Sequence, residues 1–537
     1  MKKFLHLLAS FSFALLFGLP LHAQFEITRI LGQSSKGLIL YSDLSLKNTY
    51  LINRCGEIIN LWEHENPPGL SARLLKNGHL LRAEYIRGSC CEQVSSGGLI
   101  QMLDWDNAVI WQHLVASPSE TQHHDFTFLP NGNVAYLGWE AIDEEEQLAL
   151  GVEDIQPFLW LEFIREVKPI GTDSFELVWE WKMENHLIQD KNPNLPNYRA
   201  SVKDHLGKID VNYIGPASYN RRHRWHVNSI EYNEERDEIM VNTRDNSEVW
   251  IIDHSTSTEE AASDSGGLSE KGGQLLFRWG NPEAYGRGDI GKLKMYGSHG
   301  LVWLDSLSGF RDYILFFNNG DERQGGGGDR STVEMIKPMI DEEGQYVLDV
   351  DSTYLLEDQI IVYGENPQTQ PLRSQFLSNA EKLKNGFLIN EGNRGRIFQI
   401  NDQKFVTWEL QMKSSRSDVF KAHSYPLDFE GFQNRDLTPI NSDNLADSRL
   451  CEKTTSTSDE ANRLRPQLYP NPTQTHVYIE TDQRFELTIR DIHSRIIRQE
   501  QRAQQDHRID IQALETGVYF FEIKIGDSFF VEKVIKI

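Results

Sequence analysis

The chain has 537 residues, 39% hydrophobic and 25% charged, and a formal net charge of −25. That length exceeds one simple core, and 12 Trp and 26 Phe supply a buried interior, which excludes a disordered chain and predicts more than one domain. So negative a chain is not expected to bind nucleic acid or anionic membrane surfaces, and an anionic ligand would need a local cluster of cations.

Lys2 and Lys3 precede an apolar run from Phe4 to Leu19, and Leu21, His22 and Ala23 form a cleavage site. Residues 1–23 therefore read as a secretory signal peptide, with a mature chain from Gln24. No later segment is long enough to span a bilayer, so no transmembrane segment is expected in the mature chain. Export permits disulfides. The four cysteines are Cys55, Cys90, Cys91 and Cys451. None is spaced as a zinc site, and Cys55 is the expected partner of Cys90 or Cys91.

Residues 24–440 repeat one pattern. Strand-like runs end in Trp62, Trp111, Trp181, Trp279 and Trp408. Asn-Gly turns follow between apolar runs at Asn77-Gly78, Asn131-Gly132 and Asn385-Gly386, where both turn residues are expected at positive φ. Several short strands per long repeat predict an all-β chain built on a six-bladed β-propeller, with blades of roughly 50–70 residues. The excess length falls in polar insertions at 190–220 and 255–273. A two-sheet sandwich with long loops is the competing architecture, but it leaves the Trp and Asn-Gly repeat without a cause. Residues 441–467 are polar and read as a linker holding Cys451. Residues 468–537 are a compact all-β module, a small C-terminal β-sandwich, with strand patterns around Val477, Leu487 and Val518 and at the chain end.

Three stretches put a histidine at a strand start: His123-His124-Asp125-Phe126, His226-Val227-Asn228-Ser229, and His299-Gly300-Leu301. Arg244 ends the strand after the second, and Phe317-Asn318-Asn319-Gly320 follows the third. A radial fold would bring these distant strand starts together.

In order and spacing these segments, with Leu129-Pro130-Asn131-Gly132 and Val241-Asn242-Thr243-Arg244, resemble the arylsulfate sulfotransferase family, a six-bladed propeller. The likeness spans most of 50–410. It implies His299 as the histidine that becomes sulfated, His226 and His124 as further catalytic histidines, Arg244 as the active-site arginine and Asn228 as a substrate-binding asparagine. His123 either joins substrate binding or stands behind His124. The family usually has Asp-Asn-Gly where this chain has Asn318-Asn319-Gly320, and a larger residue in place of Gly300. The tail, opening Tyr469-Pro470-Asn471-Pro472, resembles the C-terminal sorting domain of type IX secretion. That implies the type IX machinery as a partner, and a secreted or cell-surface location.

The residue types suit sulfuryl transfer from an aryl sulfate ester to a phenol. A neutral imidazole is a nucleophile near pH 7, so a covalent route can split the transfer in two. A guanidinium offers two donors to sulfuryl oxygens, and a second histidine can move the phenolic proton. No phosphate-cradling loop is evident, since the Gly-rich run after Gln324 lacks the required lysine, so no nucleotide donor is expected. No cofactor is expected, and no metal either: the imidazoles with Asp125 could ligate one, but Arg244 in the same cluster opposes a second cation. The alternative is a non-enzymatic secreted propeller that binds glycan or protein at the cell surface.

Overall fold

The computed structural model describes residues 25–31, 34–91, 96–218, 220–305, 308–320, 330–349, 351, 353–364, 371–414, 417–440, 467–469, 472–480, 484–492, 495–502, 508–525 and 528–537. The signal peptide over 1–23, Cys451 with nearly all of the linker, and the Gly-rich run after Gln324 lie outside the described residues.

Six antiparallel sheets of four or five strands account for most of residues 25–425. Their first strands are Val419–Tyr425, Pro68–Leu74, Glu120–Phe128, Val227–Asn233, His299–Trp303 and Asn379–Leu383, and each touches the next in a closed ring. The architecture is propeller-like, as expected. Both chain regions close the ring. Val419–Tyr425 pairs with the early strand Leu38–Asp43, and Phe25–Ile30 adds a fifth strand to the last sheet through Val406–Met412. Helix is confined to short pieces such as Glu144–Ala149, capped by Asp143 through a reciprocal bond with Glu146.

The tryptophan repeat has a mechanical meaning. Trp62, Trp111, Trp181 and Trp408 sit on the fourth strands of their sheets, buried to 2% exposure or less. Each indole N–H donates to a backbone carbonyl of the following sheet: Asp104 at 2.8 Å, Ser174 at 2.8 Å, Gly273 at 2.8 Å and Arg54 at 2.7 Å. Every such residue thus fills the seam between two sheets and satisfies a buried acceptor there.

The Asn-Gly turns join first and second strands, but not with the geometry expected. Only the glycines have positive φ, 80° at Gly78 and 90° at Gly132. Leu75 N–H donates to His79 O and Leu129 N–H to Asn133 O, so the loops have three residues, with glycine in the left-handed position. Asn77 and Asn131 serve instead as acceptors for the N–H two residues on. The cysteine expectation also changes: Cys90 is bonded to its neighbour Cys91, not to Cys55. The C-terminal module packs a three-stranded sheet with a four-stranded one around Val477, Ile479, Leu487, Ile489, Phe521 and Ile523.

Candidate active site

His124 lies in the first strand of one sheet, His226 directly precedes that of the next, and His299 opens that of the third. At all three the pairing with the second strand slips, between Tyr136 and Gly138, Val227 and Ser229, and His299 and Val302. At each slip the backbone turns left-handed: φ is 48° at His124, 49° at His226 and 65° at Gly300. Leu70 (φ 83°) and Ser378 (φ 88°) do the same at or beside two further first strands. A left-handed non-glycine residue costs on the order of 1 kcal/mol, and such strain clusters at functional sites. Here it re-aims the histidines out of the strand's ordinary alternation.

His299 is 2% exposed. Its Nδ1 lies 2.8 Å from Asn319 Oδ1 and 3.1 Å from Gly297 O. The Asn319 amide is oriented by its own Nδ2, which donates to Ser374 O and Leu377 O. Both neighbours of Nδ1 are therefore acceptors, so the ring proton sits on Nδ1 and Nε2 carries the lone pair. Burial, reinforced by the charge of Arg244, pushes the His299 pKa down to about 3, which keeps the ring neutral at pH 7.

Neither departure from the family pattern hydrogen-bonds to the His299 ring. Asn318 binds Tyr296 N–H, Lys294 O and Glu334 Oε1. Gly300 must be small, because a Cβ there would lie 2.6 Å from the Cβ of Asn379.

His124 and His226 meet with Nε2 to Nε2 at 3.0 Å. Behind His124, its Nδ1 is 2.8 Å from His123 Nδ1, and His123 Nε2 is 2.9 Å from Glu162 Oε2. Behind His226, its Nδ1 is 3.0 Å from His223 Nδ1, and each of these Nδ1 atoms lies 3.8 Å from an oxygen of Asp245. Burial, with the neighbouring imidazoles, holds His124 and His226 well below the usual histidine range, and burial brings His223 down to about 4. Trp139 walls the array: its ring lies flat on His123 at 3.9 Å and presents edges to His124 and His226. Sequence reasoning missed His223, Glu162, Asp245 and Asn319. His223, three residues before His226, and Asn319, beside the noted Asn318, left a signal in their spacing; Glu162 left none.

Arg244 follows the strand Glu238–Thr243, and its N–H donates to His226 O at 3.0 Å. The guanidinium donates from Nη1 to Asp245 Oδ1 at 2.7 Å and to Ala217 O at 3.0 Å. Its charge depresses all four of His124, His223, His226 and His299. The charge of Lys421, not singled out from sequence, also lowers the His299 pKa, and its Nζ is 2.5 Å from Asp125 Oδ2. The cations demanded by the net charge are therefore present as partnered ions. Asp125 belongs to this Lys421 pair and to Ser71, apart from the imidazole contacts. Asn228 donates to Ser298 O at 2.8 Å and accepts from Asn242, so its side chain holds the segment leading into His299. His123, fully buried, stands behind His124.

Donor atoms of His223, His226 and Asp245 lie within 4.8 Å of one another, close enough to surround a metal ion. The Arg244 guanidinium already occupies Asp245 and the two ring nitrogens face each other, so the set fits a cation poorly.

The model of the family described as Arylsulfotransferase (ASST) matches residues 107–418, more than half the chain. A second, described as Secretion system C-terminal sorting domain, matches residues 467–537, which marks the chain for type IX export to the cell surface or beyond. No helix among the described residues is long and apolar enough to cross a membrane. No curated protein matches. Solved structures that resemble the chain include a putative 6-phosphogluconolactonase from Bacteroides fragilis, at 9% identity over 73% of this chain and 99% of that one, with a TM-score of 0.35. Another is the periplasmic gluconolactonase of Pseudomonas aeruginosa, at 11% identity over 71% of this chain and 98% of that one, TM-score 0.33.

Proposed function

Since the chain belongs to the arylsulfotransferase family, we propose that it moves a sulfuryl group from an aryl sulfate ester to a phenol through a sulfohistidine on His299, without a nucleotide donor. The observation that carries the reading is the His299 tautomer. Its proton is held on Nδ1 by two acceptors, which leaves a neutral, nucleophilic Nε2 at physiological pH. Attack on sulfur forms the Nε2–S bond and releases the phenol; attack by a second phenol reverses the sequence. Arg244 is the cation that meets the sulfuryl oxygens, and His124 and His226 offer Nε2 atoms for the phenolic proton. Asn228 acts by holding the His299 strand. We further propose that residues 24–440 form the transferase unit and 468–537 the exported sorting domain, joined by 441–467.

Intact mass after incubation with p-nitrophenyl sulfate and no acceptor tests the covalent step. One sulfuryl group should add to the wild type and not to His299→Ala. Phenol-dependent release of p-nitrophenol should likewise vanish in His299→Ala; an unmodified, inactive wild type would favour a purely binding propeller.

A further inference from the structure

Building on the sulfohistidine reading, we infer that Leu70, Leu377 and Phe420 form the seat for the aryl ring, filled by the donor's ring and then by the acceptor's, and that they set which phenols react. Each of the six first strands has one point where its pairing slips or begins. Three neighbouring strands place an imidazole at or beside that point, in His124, His226 and His299. The other three place apolar side chains. Phe420 lies opposite the slip between Tyr41 and Asp43, and Leu70 opposite the one between Pro68 and Ala72. Leu377 stands two residues ahead of Asn379, where its strand begins. The three pack together as one cluster. At these points one half of the ring is polar and the other apolar.

The two halves meet at the reacting groups. The Phe420 ring lies 6.2 Å from the His124 ring, centre to centre. On the other side, Leu377 O accepts from the Asn319 amide that holds the His299 ring. A sulfuryl group at His299 Nε2, with its ester oxygen toward His124 Nε2, therefore has apolar residues beside both histidines. An aryl ring gains by leaving water there, as in apolar ligand pockets generally. Leu70, Leu377 and Phe420 are 4%, 9% and 1% exposed, an enclosure similar to that of His299 at 2%.

The backbone supports a side-chain role. φ is 83° at Leu70 and 62° at Leu377, in the left-handed region that a Cβ disfavours. A turn needed only for the fold is served by glycine, as at Gly300 beside His299. Leucine at both points keeps apolar bulk despite the strain, a pattern found at ligand clamps. Trp139 and Trp160, the other large apolar groups near the histidines, are already stacked on His123 and His223.

Photolysis of 4-azidophenol on the wild-type protein tests the seat without any variant. Cross-links should fall on the peptides carrying Leu70, Leu377 or Phe420, and excess phenol should suppress them. Labelling at Trp139 or Trp160 instead, or none that phenol displaces, overturns the proposal. Leu70→Ala and Leu377→Ala each enlarge the seat. Each should raise KM for phenol and raise the kcat/KM ratio of 1-naphthol to phenol at least about tenfold, since one methylene in an apolar pocket discriminates by roughly 10–200-fold. An equal change with both acceptors, as a merely structural leucine would give, or no change, also overturns it. Intact mass with p-nitrophenyl sulfate separates the two readings. No adduct on the wild type ends the sulfohistidine reading, whereas an adduct with cross-links elsewhere ends the seat alone.

Discussion

At the scale of single residues, the proposed transfer turns on which nitrogen of the His299 ring carries the proton. Asn319 Oδ1 and Gly297 O decide this for His299. Asn319→Leu removes the stronger of the two acceptors and lets the ring exchange tautomers and tilt. We expect kcat to fall about 10- to 100-fold with little change in KM, since an orienting hydrogen bond is worth roughly 1–3 kcal/mol. A change confined to KM would show that Asn319 binds substrate instead. The left-handed backbone at His124 and His226 is the other residue-scale device, because it sends two side chains from neighbouring strands to one point. The histidines themselves were legible, as was Arg244. Their partners were not: Glu162 sits in the third strand of a sheet, where an acidic residue in an apolar run reads as an exposed position.

At the scale of elements, the seams between sheets carry the stability of the ring. Trp408 in the last sheet donates to Arg54 O in the first, so it staples the closure that joins the two ends of the ring. Trp408→Phe keeps most of the apolar bulk and leaves that carbonyl without its donor. The cost should be about 1–3 kcal/mol, read as a lowered denaturant midpoint with an unchanged slope. Trp279 ends the same strand in another sheet at 7% exposure, and its substitution by Phe is a useful contrast. The Trp and Asn-Gly repeat was readable because both demands are local: an indole must fill a seam, and a glycine must supply positive φ. The turn type was misread, because a three-residue loop and a two-residue loop share the same Asn-Gly signature and differ only in register.

At the scale of the whole molecule, the ring concentrates buried neutral histidines, and that makes stability depend on pH. Burial lowers His299 to about 3 and His113, His186 and His223 to about 4, with His124 and His226 also well below the usual value. The unfolded chain takes up these protons near pH 6.5 while the folded chain does not, so stability is full above that pH and is lost as pH falls toward 4. His254, raised between Glu166 and Asp237, and carboxyls such as Glu238 and Glu248, raised by burial, work in the opposite sense, the carboxyls starting from a lower ordinary value than histidine. Urea midpoints should therefore drop between pH 7 and pH 5; an equal or higher midpoint at pH 5 would contradict the burial of the array. By itself the sequence determined the all-β class, the repeat, the C-terminal sorting domain and the chemically able residues, since periodicity, turn chemistry and side-chain type act over a few residues. Only the tertiary structure decided that the clustered histidines are neutral, which nitrogen of His299 carries the proton, and that Glu162 stands behind them. Those properties arise from burial and from contacts between strands about 100 residues apart or more, such as His124 with His226.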